Sequence, residues 1–148
     1  MATITGSYDM SRNAFVMGGE PMIFHCHHYN CFLQKSIESS KDYIDVYSIL
    51  VDSAQEVSYS QFKKFFAENA MSLDAKVKAI EELHSFCGYG DLSIDASEDG
   101  GKASSPHNHY VDGWISKFGA RKADEKGVAF FTAGFIAGAL DAAFGKAL

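Results

Sequence analysis

The chain has 148 residues, of which 47% are hydrophobic and 14% aromatic, and it contains only 2 prolines. This length and composition predict one globular domain, residues 1–148, with a real apolar core, and argue against disorder. The formal net charge of -6 at pH 7, without a stripe of Lys and Arg, argues against nucleic acid as a direct partner.

Cysteine usage and hydropathy indicate where the protein is expected to work. Three cysteines cannot all pair with one another, so reduced thiols in the cytoplasm are expected rather than a disulfide framework. The start of the chain lacks the positive region and the long apolar run of a secretory signal. The most apolar segment, 128–139, is shorter than the ~20 residues that a bilayer requires. No membrane span is therefore expected.

The first half of the chain predicts a hairpin followed by helices. Two apolar stretches, 13–17 and 21–27, flank the glycine-rich segment 18–20, which predicts two strands joined by a glycine turn. The spacing of apolar residues over 30–37 favours a short helix. Residues 42–69 predict helix in two pieces.

The next segment predicts a capped helix and a second hairpin. Ser72 is placed as the cap of a helix whose apolar stripe ends at His84 and Cys87. Alternation over 91–96 predicts a strand. Residues 98–103, which include two adjacent glycines, predict the hairpin loop.

The carboxyl-terminal third predicts two helices separated by a strand. Ser105-Pro106 predicts the start of a helix to Phe118, which would place His107 on the buried face at its amino end. Residues 127–131 predict a strand, and 132–147 predict a helix. Small residues on one side of that last helix predict close approach of another backbone.

Histidines and cysteines concentrate in the stretch FHCHHYNCF, residues 24–32. On a strand or on a helix, this spacing puts two donors side by side on one face. A zinc or iron site needs three or four ligands, and the remaining donors lie in two other short segments. The predicted metal ligands are His25, Cys26, His27, His28, Cys31, His84 and His107.

Two other interpretations of these side chains stay open. They can be half-buried residues that bond to backbone, with the cysteines acting as small hydrophobes. Alternatively, Cys26, Cys31 or Cys87 can act as a nucleophile beside a histidine, although adjacency in sequence does not supply the geometry. The spacing is not that of a zinc finger or of C-x-x-C.

The order of several motifs resembles the 4-vinyl reductase domain family. These motifs are G-G-x-x-M-I-F-H, G-Y-G-D-L-S-I, S-S-P-H and F-T-A-G-F-I-A-G-A-L. The family includes relatives of bacteriochlorophyll 4-vinyl reductase and the aromatic-effector sensing domains of phenol- and xylene-responsive transcription activators. The resemblance implies an α/β (α+β) fold, with a small antiparallel sheet and hairpins packed against several helices, often dimeric, and a pocket for small hydrophobic molecules.

The sequence departs from the family sensors in two ways. Those sensors typically carry a zinc site beyond the final glycine-rich helix, formed by a glutamate and cysteines, whereas no cysteine follows Cys87 here. Conversely, the run of histidines and cysteines over 25–31 is not expected at the corresponding place in those sensors. No P-loop is present, and no DNA-binding helix pair is indicated.

Two functions are therefore predicted from the sequence. The first is a small-molecule binding protein with an aromatic-lined pocket, in which His or Cys holds a metal ion (iron or zinc), haem or another tetrapyrrole; the pocket residues would be Phe24, Phe32, Trp114 and Phe118. The alternative is a small iron or zinc enzyme with His107 or His109 as catalytic candidate. The expected partners are a small hydrophobic molecule or tetrapyrrole and a second copy of the chain.

Overall fold

The computed structural model describes residues 5–147, which form two small antiparallel sheets and a set of helices. In chain order the elements are β1 (Gly6–Asp9), β2 (Ala14–Met17), β3 (Glu20–Met22), α1 (His27–Glu38), α2 (Val46–Glu68), α3 (Leu73–Phe86), β4 (Ser93–Ser97), β5 (Gly100–Ser104), α4 (His109–Phe118) and α5 (Phe130–Phe144). The predicted α+β class, with hairpins and several helices, is confirmed.

The first sheet has the strand order β1-β2-β3, and β2 and β3 form the predicted glycine-turn hairpin. Gly18 and Gly19 adopt φ of 57° and 82°, a left-handed conformation that glycine enters without strain. β3 is shorter than predicted and ends at Met22. As a result, His27 and the residues after it belong to α1 rather than to the end of a strand.

The centre of the molecule is the packing of α5 on α2. A Cβ atom at Gly134 would overlap the carbonyl oxygen of Val51, and one at Gly138 would overlap that of Gln55. The two backbones are therefore in direct contact, as the small residues predicted. The core around this contact consists of Met17, Phe62, Phe65, Phe66, Ala79, Ile80, Leu83, Leu92, Phe135, Ala139, Ala142 and Ala143.

The predicted break within 42–69 and the predicted strand at 127–131 are both wrong. α2 is one helix of 23 residues, since it contains neither Gly nor Pro and its buried residues continue as one stripe. Phe130 is already the first residue of α5, because a short apolar run does not distinguish a buried strand from the first turn of a helix. Gly100 and Gly101 lie within β5 rather than in the hairpin loop.

The start of α4 also differs from the prediction. Asn108, not Ser105, is its N-cap, and its Oδ1 accepts hydrogen bonds from the amides of Tyr110 and Val111 at 3.1 and 3.2 Å. Its Nδ2 donates to Oγ1 of Thr132 at 2.9 Å, which joins α4 to the start of α5. His107 therefore precedes the helix and is exposed.

Among residues 5–147, no helix combines the length and the apolar character that crossing a bilayer requires.

Candidate ligand-binding site

Four aromatic rings from three parts of the chain pack together beside the α2–α5 contact. Tyr89, Tyr110, Phe131 and Phe135 form this group, which we call the aromatic cluster. Ring centroids lie 4.7 Å apart for Tyr89 and Phe131, 5.1 Å for Tyr110 and Phe131, and 6.0 Å for Phe131 and Phe135. The cluster is an apolar, polarisable surface of the kind that binds another ring.

His84 lies against this cluster and is fully buried. Its ring centroid is 5.6 Å from that of Tyr89 and 5.4 Å from that of Phe135. Nδ1 lies 3.1 Å from the carbonyl oxygen of Gly90, and a carbonyl can only accept, so Nδ1 carries the proton and Nε2 carries a lone pair. Among residues 5–147, nothing donates a hydrogen bond to this buried Nε2.

Burial also determines the charge of His84. Removal from water lowers the pKa of its imidazole, and the carbonyl of Gly90 only partly opposes that effect. The ring is therefore a neutral acceptor at pH 7. An acceptor left unpaired in the core costs about 1–3 kcal/mol, so this nitrogen is suited to receive a donor from a bound molecule.

An apolar groove between α1 and α2 leads to the aromatic cluster. Its volume is about 260 Å³, and Tyr110 and Phe131 form its floor. The other lining residues are Asn30, Leu33, Gln34, Ile37, Ile49, Leu50, Ser53, Ala54 and Val57. Pockets for drug-sized molecules span ~300–1,000 Å³, so this groove suits a molecule of about one ring.

The two tyrosines of the cluster stay protonated. Burial raises the pKa of Tyr89 to about 12 and also raises that of Tyr110. Their hydroxyl groups are therefore neutral and can donate or accept a hydrogen bond. Together with the neutral His84, they make the site uncharged, which favours an uncharged ligand.

The histidines of the FHCHHYNCF stretch lie at the exposed start of α1. The rings of His27 and His28 stack with centroids 4.7 Å apart, and His27 lies 6.1 Å from His109 of α4. Asn30 Nδ2 is 3.2 Å from His109 Nε2. Lys117 and burial lower the pKa of His28, and burial and His27 lower that of His109.

The fold brings only part of the predicted donor set together. His27, His28 and His109 are neighbours, whereas His84 is on the far side of the Tyr89 ring, which lies 6.3 Å from His109. His107 is exposed ahead of α4, and the ring of His25 packs edge-on to Tyr29. Within the described part of the chain, no three His, Cys, Asp or Glu side chains are arranged to hold a metal ion.

The cysteines do not form a reactive pair with a histidine. Cys31 is buried beneath α4, where its Sγ would lie 2.8 Å from a Cβ at Gly113. Burial raises the pKa of Cys31 and raises that of Cys87 to about 11. Both remain thiols at pH 7, which disfavours the nucleophile interpretation. Cys26 is exposed at the N-cap of α1.

Of the four predicted pocket aromatics, three lie together on another side of α1. Phe32 packs edge-on to Phe118 at 5.1 Å, and Phe118 packs on Trp114 at 4.8 Å. Phe24 lies apart and contacts Phe15 of β2.

Sequence reasoning missed the aromatic cluster, because only Phe131 and Phe135 share a helix, and Tyr89 and Tyr110 come from other parts of the chain. One signal was present: Tyr89 stands between two glycines directly after the helix that ends near His84. A bulky ring in a glycine turn after a buried histidine is a candidate for packing on that histidine.

Comparison with known proteins identifies the fold. No family model matches the sequence, and no curated protein matches it. Among solved structures, the chain is similar to the phenol-responsive sensory domain of the transcription activator PoxR, whose crystal structure was determined with phenol. The TM-score is 0.75 at 15% identity, and the match covers 95% of this chain and 73% of that chain. The predicted resemblance to aromatic-effector sensing domains is confirmed for the fold.

Proposed function

We propose that this chain, which has the fold of an aromatic-effector sensory domain, binds a small uncharged aromatic molecule that carries one hydroxyl group. The observation that carries this proposal is the buried, unpaired Nε2 of His84 among aromatic rings. A ligand hydroxyl supplies the missing donor, and the ligand ring packs on Tyr89 and Phe135.

The groove between α1 and α2 provides the route to His84. Tyr110 and Phe131 close the inner end of the groove, and Phe131 packs on both Tyr89 and Phe135. His84 itself does not line the groove, so binding at its Nε2 requires these two rings to move aside and admit the ligand. The volume of about 260 Å³ supports a single-ring ligand over a tetrapyrrole.

A comparison of phenol with toluene tests the role of His84. The two probes have similar size, but only phenol donates a hydrogen bond. We expect His84→Phe to lower the ratio of phenol affinity to toluene affinity about 10-fold, since one neutral hydrogen bond contributes about 1 kcal/mol and the unpaired acceptor adds to it. Isothermal titration calorimetry on the whole chain measures both affinities.

The matched control is His107→Phe, because His107 is exposed and lies outside the aromatic cluster. This variant should keep the phenol-to-toluene ratio of the natural chain. An unchanged ratio in His84→Phe, or no binding of phenol by the natural chain at millimolar concentration, would contradict the proposal.

A second proposal concerns metal binding at the start of α1. We propose that His27 and His28 bind a zinc ion weakly, with water in the remaining coordination positions, since their ring centroids lie 4.7 Å apart and solvent reaches the start of α1. His109, whose ring lies 6.1 Å from that of His27, is engaged by the Asn30 amide and supplies no third ligand, which limits the affinity. We expect zinc binding by calorimetry to disappear in the His27→Ala, His28→Ala double variant and to persist in His25→Ala; equal binding in both would rule this site out.

A third proposal concerns oligomeric state: the chain forms a homodimer through the mouth of the groove. Three apolar side chains there are exposed, namely Leu33 at 47%, Ile49 at 46% and Val57 at 66%. Exposed apolar groups gathered at one place favour association. A second copy that covers them would also close the groove over a bound ligand.

A further inference from the structure

Another cavity lies on the opposite side of α1 from the ligand groove and has no part in the function proposed above. It is a cleft open to solvent, between the second half of α1, the start of α2, the end of α4 and the loop that follows α4. Its volume is about 620 Å³, and it is lined by Lys35, Glu38, Ser39, Lys41, Tyr47, Trp114, Phe118, Gly119, Ala120, Arg121, Asp124, Glu125 and Lys126.

Three cations lie over aromatic rings on the walls of this cavity. Lys35 Nζ lies 4.0 Å from the ring centre of Phe118, and Lys126 Nζ lies 4.3 Å from that of Tyr47. Arg121 Cζ lies 4.3 Å from the ring centre of Trp114. Each ring attracts its cation through the negative potential of its face, and these contacts hold the positive charges at the wall of the cavity.

Among residues 5–147, two of the cavity's three carboxylates, Glu38 and Glu125, are engaged by other groups, and Arg121 alone of its four cations pairs with a carboxylate. Glu38 pairs with Arg121 and accepts a hydrogen bond from Gln34 at 2.8 Å. Glu125 accepts from the backbone amide of Lys122 at 2.8 Å. Within the described residues, the cavity's lysines, Lys35, Lys41 and Lys126, form no ion pair with a carboxylate.

With four cations and three carboxylates in its lining, the cavity is a ring-lined space with a formal charge of +1 on a chain whose net charge is -6. We propose that it binds a planar organic carboxylate, with benzoate as the simplest example. The carboxylate pairs with Lys35 and Lys126, and the planar body packs against the rings of Tyr47 and Phe118. This ligand is charged, so it is chemically distinct from the uncharged molecule proposed for the groove between α1 and α2.

Trp114 provides a direct readout, because it is the single tryptophan of the chain and it lines this cavity. We expect benzoate to change the tryptophan fluorescence in a saturable way. Benzyl alcohol, which keeps the ring and lacks the charge, and acetate, which keeps the charge and lacks the ring, should each bind at least about 10-fold more weakly.

Variants locate the binding. Lys35→Gln and Lys126→Gln should each weaken benzoate binding about 3-fold, the scale of an ion pair open to solvent. Lys63→Gln is the matched control, because Lys63 lies over the ring of Tyr59 at 5.0 Å on α2, outside the cavity. It should leave benzoate binding unchanged.

Three outcomes would overturn the proposal. They are no saturable response to benzoate at millimolar concentration, equal binding of acetate or inorganic phosphate, and benzoate binding that Lys35→Gln and Lys126→Gln do not weaken. Phenol affinity, measured by calorimetry on the same variants, should not change. Failure of benzoate to bind this cavity is thus distinguishable from failure of phenol to bind through the groove between α1 and α2.

Discussion

His84 combines complete burial with a free lone pair, and that combination makes its protonation costly for the folded state. A proton on Nε2 would put a positive charge among Tyr89 and Phe135, where no carboxylate from residues 5–147 acts on His84. The same feature that suits His84 to accept a ligand hydroxyl therefore makes the fold sensitive to acid.

The pH dependence of stability follows from the lowered pKa of His84. The unfolded chain takes up this proton near the ordinary pKa of 6.5, whereas the folded chain does so only at lower pH. Stability is therefore highest above the unfolded value and declines as pH falls below about 6.5, by at most ~1.4 kcal/mol per pH unit for one proton. Urea unfolding of the natural chain between about pH 7.5 and about pH 5 measures this.

His28 and His109 also have lowered pKa values and act in the same direction, so a variant isolates the His84 contribution. In His84→Phe, the difference in the number of bound protons between the unfolded and the folded chain should be smaller by about one. Met10→Leu, which changes an exposed side chain without a titratable group, should leave the slope as it is. If the natural chain and His84→Phe lose stability in parallel, His84 is not the group that titrates.

Single residues also show where sequence reasoning stops. Ser72 was predictable as a cap and accepts from the Ala75 amide at 3.3 Å, because that signal is local. The cap of α4 is Asn108 rather than the predicted Ser105, because Asn108 also bonds to Thr132, which is 24 positions away in sequence. Likewise, the burial of His84 follows from the apolar stripe of α3. Which of its two ring nitrogens is left unpaired depends on the position of the Gly90 carbonyl, which engages Nδ1.

At the scale of elements, the contact between α2 and α5 depends on the absence of side chains. A Cβ at Gly138 would overlap both the Gln55 carbonyl oxygen and the Ser58 hydroxyl. Backbone cannot move aside as a flexible side chain can, so the helices would have to separate. We expect Gly138→Ala to lower the free energy of unfolding by about 2 kcal/mol, despite the higher helix propensity of alanine.

Chemical denaturation measures this effect, with Ala133→Val as the control. Ala133 is an exposed residue of α5, so its replacement should cost no more than about 0.5 kcal/mol. Equal stability of Gly138→Ala and the natural chain would show that the helices are not in backbone contact.

The elements differ in how far sequence predicts them. α3 and the β2–β3 hairpin were predictable, because a cap or a glycine turn marks their limits. β1 was not predicted, since a strand of 4 residues with three exposed positions carries no pattern. The start of α5 was placed too late, because Phe130 and Phe131 end a short apolar run that is equally typical of a strand.

At the scale of the whole molecule, the proposed dimer is directly testable. Val57 is 66% exposed at the mouth of the groove, and a charge there would be buried without a partner in a dimer. We expect Val57→Glu to give a monomer in sedimentation velocity at concentrations where the natural chain is dimeric.

Met10→Glu is the control for this measurement. Met10 is 82% exposed and lies between β1 and β2, away from the groove, so this variant should remain dimeric. A natural chain that sediments as a monomer would contradict the dimer itself. A dimer that tolerates Val57→Glu would place the interface elsewhere.

The glycine contact between α2 and α5 also determines which parts of the molecule can respond to a ligand. Two helices whose backbones touch cannot slide past each other through changes of rotamer, so they act as a fixed frame. α1 has no such contact with α2 and forms the opposite wall of the groove. If the groove binds the ligand proposed above, we therefore expect α1 to move relative to that frame, which would make α1 the element through which a partner senses the ligand.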